Sequence, residues 1–193
     1  MELSGNRSTF SRMPPTSDTA IRTVLEDQPH PGDGYVIRPC AVDEAREVWD
    51  LAANDPVIDT NSPYAYVMAS DFWGETFLIA RDEHGRLAGY VLGVQRPDRK
   101  AVFVWQIAVA DHARRKGLAR RLLSALMTAA APLGLTRLEA TVAPANKPSA
   151  AMFRRFADDN GVPCEITGGY PGSAFPEAGS EGERLFEIGP FGH

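Results

Sequence analysis

The sequence predicts a single mixed α/β domain, a central sheet flanked by helices. Three observations predict it. Strand-like and helix-like segments alternate through the second half of the chain, a turn-rich connection between two apolar runs precedes them, and 193 residues with 44% hydrophobic content suffice for one core. Residues 1–34 are rich in Ser, Thr, Pro, Asp and Gly and have no sustained period, so they read as a disordered arm before a domain at 35–193.

YVIRP (35–39) reads as an edge strand closed by Pro39. In 43–53, Ala45, Val48, Trp49 and Ala52 fall at helical spacing behind Asp43, a candidate cap. NDPVIDTNSPY (54–64) is punctuated by Asn, Asp, Pro and Ser and reads as a loop. TFLIA (76–80) and LAGYVLGVQ (87–95) flank DEHGR, the signature of an antiparallel hairpin. VFVWQIAV (102–109) is apolar, β-branched and aromatic, as a central strand buried on both faces is, and it leads straight into RRKGLA (114–119). Leu118, Leu122, Leu126 and Ala130 then line one face of a helix stopped by Pro132 and Gly134. LTRLEATV (135–142) alternates as a strand, 148–160 reads as a helix ended by Gly161, and RLFEIGP (184–190) as a last strand. No internal repeat is present.

Composition bounds the function. A net charge of −5 and a pI near 5.4 give no overall attraction to nucleic acid or anionic lipid, so any basic site is local. Cys40 and Cys164 are too few for a disulfide framework and lack metal-ligand spacing; they read as small buried residues in a reducing, cytoplasmic setting, with no metal implied. No apolar run is long enough to cross a bilayer.

RRKGLA is the local basic site. A glycine between a strand and a helix lets a ligand approach the backbone, and the first helical turn offers free N–H groups and a partial positive charge that suit phosphate. Arg114, Arg115 and Lys116 add mobile cations, with Arg120 and Arg121 a turn later. The alternative is a solvated basic helix face. Neither GxxxxGK[ST] nor GxGxxG is present.

Arg114-x-x-Gly117-x-Ala119 resembles the pyrophosphate loop of the GCN5-related N-acetyltransferases, and Asn146 in PANKPS falls where many of them place an asparagine against the cofactor. DTNSPYAY (59–66), FVWQIAV (103–109), LEATVAPANKPSAAMF (138–153) and ERLFEIGPF (183–191) together resemble the diaminobutyrate acetyltransferase branch over 37–191. The resemblance implies that fold and acetyl-CoA as cosubstrate, held by Ile107, Ala108, Val109, Arg114, Arg115, Lys116, Gly117, Leu118, Ala119, Asn146, Ser149 and Phe153. It implies a small amine bound by Asp59, Tyr64, Trp105 and Glu183, with Asp59 and Glu183 catalytic and a γ-amino group as acceptor in ectoine synthesis. It also implies a homodimer. Within this reading the hydroxyl and amide groups of Thr60, Asn61 and Ser62 fix the amino-acid head. Two departures from the family pattern stand out: Phe153 replaces a tyrosine that acts as general acid, and Ser180 replaces a histidine. With Phe153 silent, water or another residue, Tyr64 and Tyr170 being the candidates, protonates the thiolate, or it leaves unassisted, as a thiol pKa of about 8.5 allows. Two other readings stay open, an enzyme of the same fold acting on a different small amine and a non-catalytic acetyl-CoA sensor.

Overall fold

A computed structural model describes residues 34–176 and 181–192. The expected disordered arm and Ser180 therefore lie outside the described residues, apart from Gly34. The chain builds seven strands: β1 (Tyr35–Pro39), β2 (Phe77–Asp82), β3 (Leu87–Arg96), β4 (Ala101–Val109), β5 (Arg137–Val142), β6 (Cys164–Tyr170) and β7 (Glu183–Ile188). Four helices accompany them: α1 (Ala45–Ala53), α2 (Pro63–Phe72), α3 (Leu118–Ala130) and α4 (Lys147–Asn160). The strands form one sheet in the order β1-β2-β3-β4-β5-β7-β6, antiparallel throughout except for β4 beside β5.

Side-chain alternation divides the core between the two faces. Val102, Val104, Leu138, Ala140 and Phe186 bury one face against Leu118, Leu122 and Leu126 of α3 and Phe153 and Phe156 of α4. Phe77, Ile79, Tyr90 and Leu92 bury the other against Val48 and Ala52 of α1 and Tyr66 and Ala69 of α2. Cys40 belongs to this second core, Cys164 is half-buried, and both are free thiols.

Several expectations are corrected. Asp43 does not cap α1; a 3-10 turn at Val42–Glu44 precedes the helix, and the Glu44 carboxylate accepts the Ala41 N–H at 3.1 Å. A short side chain is not needed where a glutamate reaches back. The loop read as 54–64 stops at Ser62, because Pro63 occupies the first turn of α2, where its missing N–H costs nothing. β6 went unread. A 3-10 turn at Asp111–Ala113 separates β4 from the basic loop.

β4 is not buried on both faces along its whole length. Gly93 pairs with Val104 but Leu92 pairs with Gln106, so Trp105 is an extra residue, a β-bulge, and its ring is 39% exposed. Beyond it β4 leaves its parallel neighbour: pairing with β5 covers only Ala101, Val102 and Phe103.

Candidate active site

The parting of β4 from β5 opens a wedge whose strand edges carry unpaired backbone groups. Ala110 donates its N–H to Ala88 O of β3 at 2.9 Å, and Ala108, two residues earlier, faces the same way opposite Tyr90. Ile107 and Val109 are out of phase with them and turn their N–H groups into the wedge. Of the three expected backbone donors, Ala108 is thus committed to the sheet.

α3 follows β4 and α4 follows β5, so two helix N-termini stand at the mouth of the wedge. Gly117 caps α3 at φ 76°, a left-handed conformation, and a side chain there would meet open space; backbone strain alone favours glycine. The first bond of α3 runs from Arg121 N–H to Gly117 O, which leaves the N–H groups of Leu118, Ala119 and Arg120 free for an anion. Asn146 caps α4, its Oδ1 accepting the Ser149 N–H at 3.1 Å.

The cations of the loop are not equivalent. Arg115 and Lys116 are exposed and have no ion-pair partner among the described residues. Arg114, expected to be mobile, is anchored: it holds Asp55 at 3.0 Å, Asp111 at 2.9 Å and Val109 O at 3.1 Å. Arg120 pairs with Asp159 at 3.3 Å, and Arg121 lies over the Tyr35 ring. The loop thus presents free backbone donors and the exposed side chains of Arg115 and Lys116, while Arg114 ties it to the segment between α1 and α2.

That segment, 54–62, crosses the sheet face that carries α1 and α2. Trp49 Nε1 donates to Asn61 O at 3.1 Å, and Gln106 Nε2 donates to Asp59 O at 2.8 Å. The Thr60 hydroxyl donates to Ala52 O at 3.2 Å, so it serves as a strut at the end of α1 and its proton is not offered to a ligand. Asp59, Thr60 and Ser62 are exposed, Asn61 is half-buried, and Tyr64 stands on the first turn of α2 with 69% exposure.

Trp105 meets Trp73 edge to face, with ring centroids 6.2 Å apart, which fixes the tryptophan wall at the wedge. Across the wedge, Thr141 of β5 donates its hydroxyl to the Glu183 carboxylate of β7. Alternation puts Phe103, Thr141 and Glu183 on the same sheet face as α1 and α2, the face on which the backbone of Asp59 is held by Gln106. Phe153 is 3% exposed and packs on Phe186 at 6.0 Å, a core residue with no proton to give.

Sequence reasoning missed Gln106. Its Oε1 accepts the hydroxyls of Tyr66 at 2.9 Å and Tyr90 at 3.0 Å, which leaves the amide nitrogen pointing at Asp59 O. Burial, ahead of any neighbouring charge, pushes the Tyr90 phenol well above its ordinary pKa, so it is a donor here. A glutamine inside an apolar strand was the available signal. Among the described residues no cluster of three His, Cys, Asp or Glu side chains could hold a metal, and no helix is long and apolar enough to cross a membrane.

A parted parallel strand pair, with a left-handed glycine at the next helix start, defines a protein that binds an acyl thioester of coenzyme A. The model of the acetyltransferase (GNAT) family matches residues 35–157, and the chain belongs to that family, within its diaminobutyric acid acetyltransferase branch. It is 37% identical to the L-2,4-diaminobutyric acid acetyltransferase of Halalkalibacterium halodurans, over 77% of this chain and 78% of that one. To the enzyme of the same description from Nocardia farcinica it is 36% identical over 80% of each. Among solved structures it resembles the diaminobutyrate acetyltransferase of Paenibacillus lautus in complex with L-2,4-diaminobutyric acid and coenzyme A. The two superpose with a TM-score of 0.76 at 35% identity, covering 84% of this chain and 98% of that one.

Proposed function

We propose that this chain transfers the acetyl group of acetyl-CoA to the γ-amino group of L-2,4-diaminobutyrate. The observation that carries the reading is the likeness, over nearly the whole of that protein, to an acetyltransferase solved with this amino acid and coenzyme A. The thioester supplies the acyl group, and the chain's own residues do the rest. Ile107 and Val109 aim two N–H groups into the wedge, positioned to stabilise negative charge on a carbonyl oxygen. The free N–H groups at the start of α3, with Arg115 and Lys116, suit the pyrophosphate.

An alkylammonium with a pKa of about 10.4 is neutral in roughly one molecule per thousand at pH 7, so the site must hold the cation and take its proton. Glu183, which accepts the Thr141 hydroxyl, and Asp59, on the loop whose backbone Gln106 tethers, are the carboxylates to which the reading assigns this task. Trp105 closes the wedge from the side of β4. Proton removal passes to one of these carboxylates directly or through water. Activity in ectoine synthesis, inside the cell and as a homodimer, completes the proposal.

The test is coenzyme A release with 2,4-diaminobutyrate, ornithine, lysine and spermidine as acceptors, with NMR to locate the acetyl group. Preferential γ-acetylation of diaminobutyrate is expected, and Asp59→Ala and Glu183→Ala are each expected to lower kcat/KM by about a hundred-fold or more. Preference for another amine overturns the substrate, and coenzyme A binding without turnover of any amine leaves a sensor.

A further inference from the structure

The γ-amine can reach the thioester only if the other end of the amino acid is held, and the loop residues first considered for that task carry no cation. Beyond the cover of α1 and α2, the same sheet face holds a cleft of about 300 Å³, floored by Phe103, Thr141 and Leu185 and bordered by Arg96, Arg99 and Tyr170. Glu183 stands at one end through its bond to Thr141. The two arginines stand at the other.

These guanidiniums are built in. Glu139, 1% exposed, lies 3.3 Å from Arg96 Nη1 and 2.9 Å from Arg99 Nε, although that Nε–H does not point at the carboxylate, and Glu187 accepts from Arg99 Nη2 at 2.6 Å. Both arginine side chains nevertheless stay about one-third exposed, at 34% and 35%. A guanidinium carries five N–H donors. The contacts among the described residues leave Arg96 Nε and Nη2 and Arg99 Nε and Nη1 without a hydrogen-bond acceptor. Two cations held by the buried Glu139 and the part-buried Glu187, bordering the cleft and with N–H groups to spare, form a receptor for a carboxylate.

Glu139, which lies against both arginines, and Thr141, which holds Glu183, are two residues apart on β5, so about 6.6 Å of strand separates them on one sheet face, and Arg96, Arg99 and Thr141 border the same cleft. We infer that Arg96 and Arg99 bind the α-carboxylate of the substrate and so select an amino acid over a plain diamine. The inference rests on the diaminobutyrate reading above.

The test compares 2,4-diaminobutyrate with 1,3-diaminopropane, the same molecule without its carboxylate. The ratio of their kcat/KM values, and the Kd of diaminobutyrate by calorimetry in the presence of coenzyme A, are measured for the full chain, for Arg96→Gln, and for Arg96→Gln combined with Glu139→Gln. The double variant removes the buried acid together with its partner, so fold and recognition are read separately. We expect the ratio to fall about ten-fold or more in both variants, the diaminobutyrate Kd to weaken in parallel, and the KM for acetyl-CoA to hold. Equal losses on both amines, or an unaltered diaminobutyrate Kd, would overturn the carboxylate subsite while leaving the acetyltransferase intact. Failure of the wild-type chain to acetylate diaminobutyrate at all would overturn the functional reading and the subsite with it.

Discussion

Gln106 joins two halves of the site through one side chain. Its carbonyl accepts two phenol hydroxyls and its amide holds the backbone of Asp59, so β4 beside the wedge and the loop that carries Asp59 are linked by a single rotamer. Gln106→Leu would leave the buried Tyr66 and Tyr90 hydroxyls without acceptors, at about 1–3 kcal/mol each. Gln106→Glu separates the roles, because a carboxylate still accepts both phenols but has no proton for Asp59 O. We expect the Glu variant to raise the KM for diaminobutyrate about three- to ten-fold with little change in the KM for acetyl-CoA, and the Leu variant to add a clear drop in Tm. Steady-state kinetics with each substrate varied, beside thermal melts, reads both; equal shifts in the two KM values would show a general structural role instead. The sequence named Asp59, Trp105 and Glu183 through resemblance, but it held no sign that the Thr60 hydroxyl is spent on Ala52 or that Arg114 is locked between two aspartates. Those facts depend on where 54–62 lies in space.

Elements with a strong period were legible: β1, the β2–β3 hairpin, α3, β5, α4 and β7 all fall where alternation, four-residue spacing or a stop signal put them. α2 was hidden because PYAYVMASDF is apolar or small around much of its circumference, and Pro63, which opens the helix, was read as loop punctuation. β6 was hidden by its glycines and its exposure, since an outer strand with polar positions carries little hydrophobic period. The bulge at Trp105 left no trace in composition, yet it exposes the ring. Gly169 in β6 shows what the missed strand does. An added Cβ there would lie 2.2 Å from Glu183 O and 2.9 Å from Leu185 N, so backbone must move. Because Glu183 begins β7 directly beside it, Gly169→Ala is expected to displace the carboxylate and cut kcat/KM for diaminobutyrate about ten-fold or more, while coenzyme A binding persists. Kinetics and calorimetry on this variant check it, and an unaltered kcat/KM would refute the coupling.

Across the whole molecule, β1 and β2 are tied to α1 by a partly buried ionic cluster at the β1 edge of the sheet, away from the β4–β5 wedge. Arg38 grips both oxygens of Glu44 at 2.6 and 2.7 Å, and Arg81 reaches Glu44 at 2.6 Å and Glu47 at 3.0 Å. The Arg38 hydrogen bonds foremost, then those from Arg81 and the Ala41 N–H, outweigh burial and hold the Glu44 carboxyl at about 2 against an ordinary 4.5. A depressed carboxylate pKa stabilises the fold fully above the unfolded value and loses that contribution as pH falls through the folded one. The window is therefore pH 4.5 down to 2. With partial screening the contribution is on the order of 2 kcal/mol. Nearby Cys40, pushed up to about 12 mainly by burial and further by Glu44, stays a neutral thiol throughout and does not enter the balance. Glu44→Gln should thus be less stable than the wild type at pH 6, and the gap between their denaturant-unfolding free energies should close as pH approaches 2. A gap that stayed constant from pH 6 to 2 would mean that the glutamate acts by packing rather than by charge.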